Sequence, residues 1–202
     1  MPQRRIHITG AAGSGTTTLG RALAARLGAR HLDTDDYFWT LTQPPYQIRR
    51  EPAERLRLLS HDLDQDNHWI LTGGVDGWGA SLPPRFELVI FLYLPPATRM
   101  ARLADRERRR FGPAIDPGGP MHADHIAFMK WAAAYETGAA ERSLARHRVW
   151  LAALSCPVLQ LDSEKPLERI IEQAAAVIAD PGAAQNFSHS PGITVSLPES
   201  PP

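Results

Sequence analysis

The sequence contains little cysteine and no excess of charge of either sign. Cys156 is the single cysteine among 202 residues, so no intramolecular disulfide can form and a reducing cytoplasm is the expected location. The 22 acidic residues balance the 22 basic ones. This balance argues against nucleic acid or a membrane surface as a partner, because both select strongly basic proteins.

Long apolar runs are also missing. No apolar stretch approaches the roughly 20 residues that a transmembrane helix needs. The apolar run after Arg4 and Arg5 is too short for a secretory signal, so neither a membrane span nor a leader is expected. A chain of 202 residues is long enough for one well-buried α/β domain and too short for two ordinary ones.

Five short apolar segments predict β-strands, and each ends near glycine, proline or acidic residues. They are residues 5–9, 30–33, 69–72, 88–94 and 157–161. Segments with helical periodicity separate most of them, and parallel strands need such crossover connections. The sequence therefore predicts an α/β domain over residues 1–180, with a five-stranded parallel sheet covered by helices on both faces.

Two segments depart from this regular pattern. Helices are expected over residues 98–110, 121–135 and 139–154, with a mobile Pro/Gly-rich loop at 111–120, and residues 104–124 are expected to form a lid. Residues 181–202 are rich in Pro, Gly and Ser and have no periodicity, which predicts a disordered tail.

Residues 10–17, here called the phosphate loop, have the Walker A spacing, with Thr16 where lysine normally stands. Glycines allow backbone N–H groups to surround a phosphate at the positive end of the next helix. Thr17 takes the position whose hydroxyl normally contacts Mg²⁺. The predicted nucleotide-binding residues are Gly10, Gly13, Ser14, Gly15, Thr16, Thr17 and Thr18.

The missing lysine leaves two alternatives open. A hydrogen bond to a charged group contributes on the order of 1.5–3 kcal/mol, so its loss weakens nucleotide binding or slows phosphoryl transfer unless another cation substitutes. Either an arginine from elsewhere takes its place, or the protein binds nucleotide without turning it over.

Polar and glycine-rich residues also follow the second and third predicted strands. Residues 33–36, here called the acidic turn, include Asp33, Asp35 and Asp36, and the glycine pair is Gly73 and Gly74. Carboxylates can hold Mg²⁺ or accept a proton, and glycines allow close approach of an acceptor. The alternatives are a solvated turn or helix N-cap for the aspartates and an ordinary turn for the glycines.

The chain resembles the small P-loop kinases of the adenylate, cytidylate and shikimate kinase type, from Arg5 to about Ala179. The Gly13–Thr17 segment is similar to the loop of archaeal cytidylate kinases. Asp33-Thr34-Asp35 is more similar to shikimate kinases, in which the first aspartate serves Mg²⁺ and the second serves the acceptor hydroxyl. Residues 35–38 are also similar to the acidic-aromatic segment of uridine kinases. The resemblance implies ATP and Mg²⁺ as cofactors and a small-molecule acceptor.

The lid segment is rich in arginine. Arg102, Arg106 and Arg110 lie on one face of its predicted helix, and guanidinium groups can offset charge on a transferring phosphoryl group. The resemblance implies a lid that closes over ATP with such arginines. The alternative is a solvated basic face paired with Asp105 and Glu107.

These observations support two functional hypotheses. The first is an ATP-dependent kinase that transfers the γ-phosphoryl group to a nucleoside, a nucleotide or another hydroxyl acceptor, with Thr17 and Asp33 at Mg²⁺ and Asp35 at the acceptor. The second is a nucleotide-binding protein without kinase turnover, acting as an ATPase, a switch or a partner-binding module.

Overall fold

The computed structural model describes residues 4–138 and 142–180, together with the backbone of residues 193–196. The strands are β1 Arg5–Gly10, β2 Arg30–Asp33, β3 Trp69–Thr72, β4 Leu88–Tyr93, β5 Val158–Asp162 and β6 Ile193–Ser196. The α-helices are α1 Thr16–Leu27, α2 Thr34–Phe38, α3 Pro52–Leu63, α4 Pro96–Phe111, α5 His122–Ala133, α6 Leu144–Ala152 and α7 Leu167–Ala179. Short 3₁₀ turns cover Pro83–Arg85 and Gly112–Ile115.

The strands form one sheet in the order β2-β3-β1-β4-β5-β6. The first five are parallel, which confirms the predicted five-stranded parallel sheet. Parallel strands covered on both faces are expected to be apolar throughout, as β4 is. Because all five run in the same direction, their carboxyl ends lie at one edge, where the phosphate loop, the acidic turn and the glycine pair follow β1, β2 and β3.

Alternation along β1 shows how the sheet separates two cores. Ile6 and Ile8 belong to a core formed with α1 and α7. His7 is fully buried on the opposite face and stacks on Phe86, with ring centroids 4.8 Å apart. That second core includes Trp69 and residues of α3. Both faces of the sheet are therefore covered, as predicted.

The segment predicted as a mobile loop at residues 111–120 begins with a 3₁₀ turn at Gly112–Ile115. The Ile115 side chain is buried, and the Met121 N–H donates to the Ala114 carbonyl at 2.9 Å. Burial of one apolar side chain thus gives this Pro/Gly-rich stretch a local structure. The next helix, α5, ends at Ala133, and α6 begins at Leu144, later than the predicted residue 139. Residues 139–141 lie outside the described part of the chain.

The C-terminal segment differs from the expectation of disorder over residues 181–202. Ile193–Ser196 forms strand β6, which pairs antiparallel with β5. Its residues Ile193, Thr194 and Val195 are β-branched, and such residues favour an extended backbone when a partner strand is present. The rest of that prediction falls on residues outside the described part of the chain. Among the described residues, no helix is long and apolar enough to cross a membrane.

Candidate functional site

The phosphate loop connects β1 to α1 through two glycines with positive φ angles, Gly13 at 87° and Gly15 at 95°. A Cβ on Gly13 would lie 3.1 Å from the Arg99 carbonyl oxygen, so both backbone conformation and space favour glycine there. The Ser14 N–H donates to the Ala11 carbonyl at 3.0 Å. The loop therefore turns sharply into the N-terminus of α1, the geometry that suits a phosphate.

Two long-range contacts fix this loop from outside. The Ser163 hydroxyl, just after β5, donates to the Ser14 carbonyl at 2.6 Å. The fully buried Arg99 guanidinium donates to the Ala12 carbonyl at 3.3 Å. Sequence reasoning placed Arg99 in the arginine-rich helix without a role. Its spacing of four from Leu103, which is also buried, was the available signal that it faces inward.

Thr17 and Asp33 meet at the carboxyl ends of β1 and β2. The Thr17 hydroxyl donates to Asp33 Oδ2 at 2.8 Å. A second hydroxyl, that of Thr72 at the end of β3, lies 3.1 Å from the same oxygen. The other carboxylate oxygen, Oδ1, accepts the Asp35 N–H at 3.1 Å, so Asp33 also caps α2. The acidic turn therefore forms a short helix with Asp33 as its N-cap, one of the alternatives that the sequence left open, and the first carboxylate satisfies a free N–H group.

Asp35 and Asp36 lie on the first turn of α2, with exposed side chains. The pKa of Asp35 is raised, first because surrounding protein partly desolvates the carboxyl and second because Asp33 is close. Arg142 and Arg106 act in the opposite direction on the pKa of Asp35. Burial and Asp33 also raise the pKa of Asp36.

The glycine pair lies against the acidic turn. Gly73 has a φ of 105°, and a Cβ there would overlap the Thr34 hydroxyl at 1.9 Å. The Gly74 N–H donates to the same hydroxyl at 3.1 Å. On the other side of Gly74, a Cβ would lie 1.6 Å from the Arg142 guanidinium. Gly73 is required by its positive φ and by Thr34, whereas a side chain at Gly74 would displace the Arg142 guanidinium.

Arg142 is a site residue that sequence reasoning missed. Its guanidinium makes a loose ion pair with Asp76 at 3.6 Å, and 30% of its side chain is exposed. Its Nε is buried and has no hydrogen-bond partner among the described residues. No local pattern marks it, because it lies 68 residues after Gly74 and is brought there by the fold. It supplies a positive charge beside the acidic turn.

The three predicted lid arginines point to different places. The Arg102 guanidinium donates to the Ser163 carbonyl at 3.1 Å, beside the phosphate loop. The Arg106 guanidinium donates to its neighbour Glu107 at 3.3 Å, and its positive charge lowers the pKa of Asp35. Arg110 lies over the ring of Tyr46, 5.2 Å from its centroid. The structure thus brings Arg106, and not Arg102 or Arg110, towards the acidic turn.

The aromatic residues after the acidic turn are largely engaged with protein groups. The Tyr37 hydroxyl donates to Asp62 at 2.6 Å, and burial is the first cause of the raised pKa of Tyr37. The Phe38 ring is covered by the Arg55 guanidinium at 3.7 Å. Packing within the protein therefore accounts for these two rings.

A buried histidine lies below the site. His147 on α6 contacts the Thr9 hydroxyl at 3.0 Å and the Tyr135 hydroxyl at 2.8 Å. Burial lowers the pKa of His147 to about 4, so its ring is neutral at neutral pH. Thr9 directly precedes the phosphate loop, and Tyr135 follows α5. His147 therefore connects the start of the loop to the residues that follow α5.

A parallel sheet with a glycine-rich loop between β1 and α1, and a Thr–Asp pair at the strand ends, defines the class of P-loop nucleotide-binding proteins. Residues 6–112 match the family described as AAA domain. The chain belongs to this family, and the matched residues run from β1 through α4.

Relatives agree with this assignment. The chain is 44% identical over 163 residues to the uncharacterized protein YqaC of Bacillus subtilis (strain 168), a match that covers 80% of this chain and 90% of YqaC. It is 33% identical over 117 residues to a shikimate kinase of Thermosynechococcus vestitus, covering 51% of this chain and 62% of that enzyme. It is 30% identical over 114 residues to a cytidylate kinase of Methanocorpusculum labreanum, covering 51% and 63%. The chain thus spans less than two thirds of either kinase.

A solved structure shows the same fold. The shikimate kinase from Bacteroides thetaiotaomicron matches 87% of this chain and 98% of its own, with a TM-score of 0.54 and 18% identity. The chain therefore has the P-loop kinase fold of the shikimate kinase type, and the predicted resemblance to small P-loop kinases is confirmed.

Proposed function

We propose that this protein is an ATP-dependent kinase that transfers the γ-phosphoryl group to a hydroxyl of a small acceptor, which is a nucleoside, a nucleotide or another hydroxyl compound. One observation carries the proposal: Thr17, Asp33 and Asp35 lie together where the phosphate loop meets the acidic turn. The kinase relatives support it.

The phosphate loop supplies the donor side of the site. Its backbone N–H groups and the N-terminus of α1 would hold the β- and γ-phosphates. Ser163 and Arg99 hold the Ser14 and Ala12 carbonyls, which turns these oxygens towards protein donors and away from the phosphates. The loop is thus preorganised for an anion before nucleotide binds.

Thr17 and Asp33 fit a magnesium ion. Their oxygens lie 2.8 Å apart, and both are the hard oxygen ligands that Mg²⁺ prefers. Among the described residues, no group of three or more His, Cys, Asp or Glu is arranged to hold a metal. This suits Mg²⁺, which binds one or two protein oxygens together with phosphate and water. When bound, the ion would offset negative charge on the phosphate oxygens.

Asp35 is the proposed base. The acceptor oxygen forms a bond to the γ-phosphorus, the bond from that phosphorus to the β,γ-bridging oxygen breaks, and ADP leaves. The acceptor proton passes to the Asp35 carboxylate. A raised pKa makes Asp35 a stronger base than an ordinary aspartate, and the charges of Arg142 and Arg106 oppose that rise in pKa. These two arginines are the proposed cations of the site in the absence of a loop lysine.

Acceptor-dependent ADP release tests the proposal. Purified protein is incubated with Mg-ATP alone and with nucleoside monophosphates, nucleosides, shikimate and gluconate. One acceptor is expected to stimulate ADP release, and Asp35→Asn should reduce that rate by about 10²–10⁴-fold while ATP still binds. Glu172→Gln, on the exposed face of α7, is the matched control and should not change the rate. Full activity of Asp35→Asn would show that Asp35 is not the base.

Thr16 favours a second candidate function. A P-loop without lysine binds the γ-phosphate less tightly, which suits a protein that binds nucleotide without transferring phosphate. Calorimetric ATP binding with no ADP release for any acceptor would favour this candidate over the kinase.

A further inference from the structure

Asp33 receives two side-chain hydroxyls on a single oxygen. Thr17 lies 2.8 Å and Thr72 lies 3.1 Å from Oδ2. The Thr72 hydroxyl has a third neighbour, His31 Nε2, at 3.1 Å. His31, Thr72 and Asp33 therefore form a chain of contacts that ends at the proposed magnesium ligand.

The chemistry of these groups fixes the direction of the chain. An ionised carboxylate only accepts hydrogen bonds, so Thr72 must donate its single proton to Asp33. The Thr72 oxygen can then only accept from His31, and Nε2 must carry the ring proton. The other acceptor near Thr72, the Leu32 carbonyl, is farther away at 3.3 Å. His31 thus directs the Thr72 hydroxyl towards Asp33.

Packing fixes the rotamer of Thr72. A Cβ on Gly20 would lie 2.1 Å from the Thr72 methyl group and 3.1 Å from the His31 ring. Glycine inside a helix is about 1 kcal/mol less favourable than alanine, and Gly20 lies in the interior of α1. Here glycine leaves a slot that the Thr72 methyl fills, so its hydroxyl is directed to Asp33. The chain of contacts is therefore built from α1, β2 and β3 together.

We propose that Thr72 and His31 are positioning residues that hold the Asp33 carboxylate in its magnesium-binding orientation, an inference that rests on the proposed function. A Thr17 hydroxyl with a lone pair on the ion would still carry its proton, so it could donate to Asp33 alongside Thr72. Thr72 would be the hydroxyl donor that does not bind the ion, and it would keep the carboxylate from rotating. Outer-shell partners of this kind commonly change metal affinity about 10–100-fold when removed.

Matched variants separate this role from simple stabilisation of β3. Thr72→Val keeps the shape and removes the hydroxyl, whereas Thr72→Ser keeps the hydroxyl. His31→Leu removes the donor, whereas His31→Gln retains an N–H group at a similar distance. ATP affinity is measured by calorimetry with Mg²⁺ and with EDTA, and Mn²⁺ binding to the ADP complex is measured by electron paramagnetic resonance. Thermal unfolding reports stability separately.

We expect Thr72→Val to weaken Mn²⁺ binding about tenfold and to reduce the Mg²⁺-dependent gain in ATP affinity, with ATP affinity in EDTA unchanged. His31→Leu should also weaken Mn²⁺ binding. Thr72→Ser and His31→Gln, which keep the hydroxyl and the N–H group, should bind Mn²⁺ like the wild-type protein. Wild-type metal affinity in Thr72→Val and His31→Leu, with only lower thermal stability, would overturn the positioning role and leave the proposed function intact. Absence of any Mg²⁺-dependent gain in the wild-type protein would overturn both.

Discussion

Arg99 and Glu136 form an ion pair beneath the phosphate loop, with one guanidinium nitrogen of Arg99 at 2.9 and 2.7 Å from the two carboxylate oxygens. Arg99 is fully buried, and the same guanidinium holds the Ala12 carbonyl. Glu136 follows α5, next to Tyr135, which contacts His147. The segment that follows α5 is therefore connected to the phosphate loop through buried polar groups.

Removal of Glu136 should destabilise both the fold and the loop. Glu136→Ala leaves the Arg99 charge buried without its partner, and such a change lowers the free energy of unfolding by about 3 kcal/mol. Urea unfolding measures this loss, and calorimetry should show weaker ATP binding, because Arg99 no longer holds Ala12 in place. Glu172→Gln is the control. Near-wild-type stability of Glu136→Ala would mean that water solvates the Arg99 guanidinium once Glu136 is removed, and would contradict this prediction.

The raised pKa of Asp35 predicts that the carboxylate proposed as the base lowers the stability of the fold at neutral pH. An acid whose pKa is higher in the folded chain than in the unfolded chain destabilises the fold once pH rises through that interval. Asp35→Asn should therefore raise the free energy of unfolding at pH 7, and this gain should disappear as pH falls below 3.8, the ordinary value. Urea unfolding across pH measures it. Equal stability of the two proteins at pH 7 would contradict a destabilising carboxylate.

Arg142 should set the acid limb of the pH–rate profile. Its charge lowers the pKa of Asp35 against the effects of burial and Asp33. In Arg142→Gln the pKa of Asp35 rises further, so the pH at which kcat/KM reaches half its maximum should move upward. Arg148→Gln, on the exposed side of α6, keeps the wild-type profile. An unchanged acid limb in Arg142→Gln, at whatever rate, would show that the Arg142 charge does not set the pKa of Asp35.

Buried histidines should make the protein sensitive to acid. Burial lowers the pKa of His147 to about 4 and that of His7 to about 3, from 6.5. The unfolded chain binds more protons between those values, so stability falls as pH drops from about 6.5 towards 4. A pKa difference of one corresponds to about 1.4 kcal/mol. His147→Gln should show a shallower dependence in chemical unfolding, even where its overall stability is lower. If the stability of His147→Gln depends on pH as steeply as that of the wild-type protein, groups other than His147 cause the acid sensitivity.

Thr16→Lys should restore the contact that the phosphate loop lacks. One hydrogen bond to a charged phosphate contributes on the order of 1.5–3 kcal/mol, which corresponds to roughly 10–150-fold tighter ATP binding. Calorimetry measures the affinity, and ADP release measures turnover. Thr16→Val, which removes the hydroxyl without adding charge, is the control. Unchanged affinity in Thr16→Lys would indicate that another cation already occupies the position that the lysine would reach.

Local signals were enough to predict most of the fold. The apolar run of β4 and the glycine turn that follows β1 depend on neighbours in sequence, and the structure has those elements. The convergence of the acidic turn and the glycine pair also followed, because parallel strands end at one edge. β6 was missed since its extended form depends on pairing with β5, which a composition rich in Pro and Ser does not reveal.

The surroundings of the site depend on contacts that no local pattern encodes. Thr72 lies 39 residues from Asp33, and Arg142 lies 68 residues from Gly74. The arginine pattern of α4 predicted a shared face, yet Arg102 donates to the Ser163 carbonyl and Arg110 lies over the Tyr46 ring. Helical spacing gives the direction of a side chain along its own helix, whereas the partner is chosen by packing between distant elements.

The antiparallel pairing of β6 with β5 adds one strand at this edge of the sheet. Without it, the outer N–H and C=O groups of β5 would be free to pair with a strand of another molecule, which is how sheet proteins associate and aggregate. β6 itself is now the edge of the sheet, on the opposite side of β5 from the phosphate loop, and an edge of only four residues offers few unpaired groups to another molecule. Removal of β6 is therefore expected to affect solubility before it affects the chemistry of the site.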